Sequence, residues 1–227
     1  MAKVKPKIKI VKNGPYRVSG NVPIAKQTII ADEEGVPVRW QEGEKYPEKK
    51  ECGLCRCGES RAKPYCDGAH KKINFDGTET ASKKKYLEQI EKIEGPDLAL
   101  LDAPDLCASA RFCDRGEGAW NLTRGSGNPE SRKMAIEESC DCPSGRLVAW
   151  DKKTAKAIEP NFSPSIGLVE DPSAGASGPL WVRGSIPIES ADGAHYEVRN
   201  RVTLCRCGKS KNKPFCDGTH ISIGFKA

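Results

Sequence analysis

Two short stretches concentrate the residues able to bind a soft metal: Cys55, Cys57, Cys66 and His70, then Cys205, Cys207, Cys216 and His220. Each set has the spacing C-x-C-x8-C-x3-H, which brings four soft or borderline donors within sixteen residues. Such a set can close a tight metal site. The paired Cys-x-Cys suits a strand end or loop, where alternate side chains leave on one side. The four-residue step from Cys66 to His70 suits a helical turn that presents both on one face, with Asp67 placed to accept backbone N–H bonds at its start. By spacing and donor type alone, zinc and an iron–sulfur cluster stand level. Arg56, Lys63, Arg206 and Lys213 recur beside the donors, and two readings of them stand equal: compensation of thiolate charge, or ordinary surface charge.

The elements that must hold these donors are duplicated. Residues 55–75 align with 205–225 at an offset of 150, and 13 of the 21 positions are identical, every cysteine and histidine among them. Upstream of each lies a second match, residues 14–24 against 178–188, sharing its Gly-Pro opening and its Pro-Ile close. The repeat unit therefore reads as a short strand opened by a Gly-Pro turn, a variable connection and a cysteine-rich knot. In the second copy the alternation over 196–204 predicts a strand into the knot, and in the first copy residues 27–30 and 36–40 predict strands around Glu34-Gly35. Between the copies, Ser82 is placed to cap a helix over 83–94 with Tyr86, Leu87, Ile90 and Ile93 on its core face and Gly95-Pro96 as its stop. Residues 131–139 read as a short helix after a loop at 125–130, and 160–179 as a surface strap. The fold expected is mostly β with short helices: two pseudo-symmetric β units over 14–75 and 178–227, pairing with each other, and an α/β insert over 76–177.

The runs Cys-Arg-Cys-Gly-x-Ser-x-x-Lys-Pro-[Tyr/Phe]-Cys-Asp-Gly-[Ala/Thr]-His resemble the CDGSH iron–sulfur domain, or NEET family, in its tandem-motif form. Ala69 and Thr219 stand where the family name has Ser, within its variation. The resemblance implies a redox-active [2Fe-2S] cluster in each site, with Cys55 and Cys57 on one iron and Cys66 and His70 on the other. It implies the same division for Cys205 and Cys207 against Cys216 and His220. Single-motif relatives look like intertwined homodimers that exchange a strand. Two copies in one chain therefore predict a monomer with internal pseudo-two-fold symmetry, the Gly-Pro strands being the candidate exchanged pieces.

Of the eleven cysteines, Cys52, Cys107, Cys113, Cys140 and Cys142 remain. The insert is similar to a divergent single-cluster ferredoxin segment, with Cys142-Pro143 resembling a ferredoxin's last ligand. Three readings stay open for its cysteines: a third iron–sulfur site, buried or free thiols, or an oxidised pair. Cys52 and His195 have no repeat partner and read as bystanders. The net charge of +6 is dispersed, without a long basic run or interleaved aromatics, which argues against nucleic acid. The basic start, Met1 to Ile10, has no signal-like apolar run, and no stretch is apolar enough to span a membrane. A cytoplasmic protein is expected, in which metal chemistry is favoured over disulfides. No nucleophile motif or phosphate loop is present. The expectation is a non-enzymatic electron carrier, cluster donor or redox sensor serving redox or cluster-acceptor proteins. The rival reading is a structural zinc-binding interaction module.

Overall fold

The computed structural model describes residues 4–227; the first three residues of the basic start lie outside them. The chain is mostly β with four short helices. The first sheet runs β12-β1-β2-β5, from β1 (Lys7–Ile10), β2 (Tyr16–Ser19), β5 (Glu51–Leu54) and β12 (Ile188–Glu189). The second runs β13-β11-β10-β3-β4, from β3 (Ile24–Ala31), β4 (Pro37–Lys45), β10 (Ser165–Asp171), β11 (Ala176–Arg183) and β13 (Arg201–Leu204). The third, β6-β7-β8-β9, belongs to the insert: β6 (Glu91–Glu94), β7 (Leu98–Asp102), β8 (Leu147–Asp151) and β9 (Lys156–Ile158).

The first two sheets are copies that exchange a strand. In the first, β1 pairs antiparallel with β2 and parallel with β12, Ile8 facing Ile188. In the second, β10 pairs antiparallel with β11 and parallel with β3, Ile166 facing Ile24. The register is matched down to single bonds: Ile8 donates its N–H to Pro187 O and Ile166 to Pro23 O, both at 2.9 Å. Each half thus completes its sheet with the Pro-Ile segment of the other. The exchanged pieces are these segments and not the Gly-Pro strands, which stay at home as β2 and within β11, because β2 and β11 already have antiparallel neighbours on both sides. Alternating apolar residues from both copies, among them Ile8, Tyr16, Val18, Ile166, Leu180 and Leu204, meet in one core.

Three local expectations are corrected. Residues 83–94 do not form a helix: a single 3-10 turn at Tyr86–Glu88 leads into β6. The Gly95-Pro96 stop is a hairpin turn, Gly95 N–H bonding Leu98 O, and the fully buried run Leu98–Asp102 takes 91–94 as its antiparallel partner. Pairing with that strand overrides local helix propensity, and Leu87 of the supposed core stripe is exposed. Residues 160–179 are not a surface strap, since β10 and most of β11 are buried in the second sheet; Gly178-Pro179 is inside β11 and opens no turn. The strand predicted over 196–204 is ordered as β only from Arg201, and Val198 is exposed. Strands around the Glu34-Gly35 turn form as expected. So does the second insert helix, Pro129–Asp141, capped by the Asn128 side chain, which accepts from Glu130 and Ser131 N–H.

Candidate metal centre

Each knot starts where a strand stops. β5 ends at Leu54 and β13 at Leu204, and in each case the next residue is the first cysteine. The chain then loops back on itself: Cys55 N–H bonds Pro64 O and Cys205 N–H bonds Pro214 O, both at 2.8 Å. The repeated serine closes the loop, Ser60 Oγ donating to Tyr65 O at 2.6 Å and Ser210 Oγ to Phe215 O at 2.7 Å. The third cysteine is thereby carried beside the strand, Cys66 N–H to Gly53 O and Cys216 N–H to Thr203 O. Asp67 and Asp217 turn the chain into a four-residue helix, accepting from the N–H of Ala69 and Thr219. Backbone donation from Arg61 and Ala69 holds the Asp67 carboxyl below the usual carboxylate range.

The eight donors fall into four pairs. Cys55 and Cys57 sulfurs lie 3.8 Å apart, Cys205 and Cys207 sulfurs 3.6 Å. Cys66 Sγ and His70 Nδ1 are 3.3 Å apart, as are Cys216 Sγ and His220 Nδ1. Cys55, Cys57, Cys205, Cys207, Cys216 and His220 are buried. Burial pushes the Cys57 thiol up to about 11 and raises Cys216 well above the ordinary thiol value. Cys205 is drawn down, first by its bond from the Cys207 thiol and then, against burial, by backbone N–H groups. Burial and the nearby Arg206 hold His220 down to about 4, which keeps its imidazole neutral and able to donate a lone pair. Buried sulfurs met by amide donors, with a neutral imidazole alongside, are a donor set that could hold a metal.

The two knots abut at their Cys-Gly turns. Gly58 and Gly208 both have positive φ, and a Cβ on either would collide with the carbonyl of Cys207 or Cys57 respectively, so neither position admits a side chain. Tyr16 of the first half donates its hydroxyl to Cys205 O and Pro214 O of the second knot. Arg56 and Arg206 are not ordinary surface charge. Both are buried and bond backbone carbonyls, Arg56 that of Val11, just past β1, and Arg206 that of Val169 in β10. They therefore brace the knots, and their long donor forks suit that role.

The halves differ in cover. The insert lays its 105–111 loop on the second knot: Asn212 Nδ2 donates to Asp105 O, Arg111 pairs with buried Asp171, and Ser109 lies against Gly218. Among the described residues nothing would lie within 4 Å of a Cβ on the corresponding Gly68 of the first knot, and Cys66 and His70 are half-buried there. The insert itself brings Cys107, Cys113 and Cys142 around one small cavity, while the Cys140 sulfur turns to Ile158 O. Spacing did not foresee what sets Cys142: buried Arg201, on β13, donates to the carbonyls of Ser139, Cys140 and Cys142. Phe112 anchors the same loop against Trp40 and Trp181. All eleven cysteines are unbridged in the structure; Cys52 faces Val18 within the first sheet, and exposed His195 lies at a bridge to Glu189.

The family model described as iron-binding zinc finger, CDGSH type, matches residues 13–71 and again 177–221. The chain therefore carries two CDGSH-type segments. A second model, divergent 4Fe-4S mono-cluster, matches residues 93–152 between the copies. No curated protein and no solved structure gives a significant match. Both models point to iron–sulfur cluster binding, and the donor sets of the knots fit it. Among the described residues no helix is long and apolar enough to cross a membrane.

Proposed function

We propose that this tandem CDGSH chain holds one [2Fe-2S] cluster in each knot and serves, without turnover of a substrate of its own, in electron transfer, cluster transfer or redox sensing. The observation that carries the reading is the pairing of the donors. Two sulfurs bound at about 2.3 Å to one tetrahedral metal sit about 3.8 Å apart, and a sulfur and an imidazole nitrogen about 3.5 Å. The four pairs measure 3.8, 3.6, 3.3 and 3.3 Å. Among the described residues no three such side chains are gathered to hold a single ion. Two donor pairs per knot, each sized for one metal, favour a binuclear centre over a mononuclear zinc site. A bound [2Fe-2S] cluster supplies reversible one-electron chemistry.

The chain's own residues set how each site is used. In the second knot, the insert loop and burial exclude water from Cys216 and His220. In the first, His70 and Cys66 remain within reach of solvent and of a partner, so we assign exchange with redox or cluster-acceptor proteins to that end of the molecule. The dispersed charge offers nucleic acid no track, and eleven free cysteines suit a cytoplasmic, reducing setting. The reciprocal exchange of β3 and β12 within one chain supports a monomer.

A third cluster in the insert would rest on Cys107, Cys113 and Cys142. The free space between them is about 20 Å³, room for about one water and not for a cluster, so loading would displace the 107–113 loop. Iron, zinc and sulfide analysis of protein purified without added metal tests the whole reading. About four iron and four sulfide per chain are expected from the knots, with any excess lost in Cys107→Ser. Two zinc and no sulfide would overturn the proposal in favour of a folded zinc scaffold.

A further inference from the structure

A cavity of about 300 Å³ lies where the 80–89 segment, the insert and the second CDGSH unit meet. One wall is apolar and partly aromatic, built from Leu106, Tyr196 and Phe215, the last two packed edge to face with ring centres 5.2 Å apart. Another carries Arg199 and Thr203. The Arg199 guanidinium stacks over the Tyr86 ring at 3.9 Å and donates through Nη2 to Gly145 O. Its Nη1 is buried and has no partner. Thr203 is 2% exposed, and its hydroxyl is likewise unpartnered.

The charge is as unanswered as the hydrogen bonds. No carboxylate lies within ion-pair distance of Arg199 among the described residues. Of the two acids that act on it, Glu159 is bound to Arg201 and Glu197 accepts from Tyr86 N–H. Around the cavity Lys83, Lys84 and Arg199 face Asp105 and Glu197, and Lys83 is engaged by Asp192. A half-buried cation with an orphaned donor is costly to hold unless an anion meets it.

We propose that this cavity is a binding site for a small organic anion, its carboxylate or phosphate head drawn to the Arg199 end and a flat body of one or two rings against Tyr196, Phe215 and Leu106. The size suits it: a cavity of about 150 Å³ takes one benzene, and 300 Å³ is at the lower end of small-molecule sites. An occupant would touch the residues next in sequence to Cys107 and Cys216, the Leu106 and Phe215 side chains. The cavity's chemistry does not depend on what the thiols hold.

Isothermal titration of the protein as purified with phenyl phosphate, benzoate, inorganic phosphate and benzyl alcohol tests the site. One molecule of phenyl phosphate or benzoate per chain should bind, with inorganic phosphate and benzyl alcohol at least tenfold weaker. Arg199→Met should weaken both aromatic anions at least tenfold. Leu106→Trp, which fills the cavity while keeping Arg199, should abolish binding; unchanged visible absorption and iron content show that the knots are intact in either variant. Absence of saturable binding by both aromatic anions would overturn the proposal. So would inorganic phosphate binding as tightly as phenyl phosphate, or an affinity unmoved by both substitutions.

Discussion

Glu138, in the helix Pro129–Asp141, is 1% exposed and both its carboxyl oxygens lack a partner. Burial, with Asp114 and Asp141 nearby and Arg115 opposing, raises its carboxyl from 4.5 to about 8. The native chain therefore holds this proton across a window in which the unfolded chain has released it. Stability is unaffected by Glu138 below about pH 4.5, falls as pH rises from there, and levels off above about pH 8. At about 1.4 kcal/mol per unit, the cost at pH 7 is about 3 kcal/mol as a ceiling. Glu138→Gln keeps the size and hydrogen-bonding character of the neutral acid and removes the titration.

Urea unfolding of the two proteins, kept anaerobic and followed by tryptophan fluorescence, isolates the effect, because the difference between them cancels every other titrating group. The curves should coincide near pH 4.5 and separate as pH rises, with the Gln variant the more stable. By pH 7 a gap of about 3 kcal/mol corresponds to a rise in Tm of roughly 6–12 °C for a chain of this size. Stability differences that stay parallel between pH 5 and 7.5 would refute the assignment of a buried neutral carboxyl to Glu138.

Differential cover of the knots predicts two phases of iron loss to a chelator, the faster assigned to the first knot. His70→Cys should slow that phase alone and His220→Cys should leave it in place, read from visible absorption against time; a single phase would remove the asymmetry. Arg201→Met strips a buried donor from three carbonyls and should cost about 3–5 kcal/mol in denaturant titrations, while the conservative Arg201→Lys should recover only part of it. Light scattering should give a mass near 24.7 kDa, and a value twice that would show that β3 and β12 are exchanged between chains.

The knots were readable from sequence because their geometry is local: the cysteine loop, its serine latch and the Asp-Gly turn all lie within sixteen residues of each other. The exchange was readable only in outline. β1 and β10 occupy equivalent places in the two sheets, yet Lys7–Ile10 and Ser165–Leu168 share a single isoleucine, since parallel pairing asks the backbone for hydrogen bonds and the side chain only for an apolar inner face. For the same reason the Pro-rich look of 160–179 hid two buried strands. The insert misled where a helical spacing at 83–94 met a buried strand in need of a partner. Arg201 and Arg199 carried no motif at all; a buried arginine is recognised by what surrounds it, and its surroundings come from segments about 40 to 110 residues away.

Joining two copies in one chain changes what the symmetry can do. A homodimer of identical CDGSH units must present two equal sites. Here the insert falls on one knot only, with Ser109 against Gly218 and, among the described residues, nothing within 4 Å of a Cβ on Gly68, so the sites differ in access while their donor pairs keep nearly the same spacing. The halves remain mechanically dependent, because each sheet needs the other's Pro-Ile strand and Tyr16 bonds across to the second knot. Loss of the second knot should therefore disturb the first through shared sheets, whereas loss of the open first site should leave the covered one loaded. Cys216→Ala and Cys66→Ala, compared by iron content and by protease resistance of the whole chain, separate these outcomes. Equal damage from both substitutions would mean that the insert's cover contributes nothing to holding the second site.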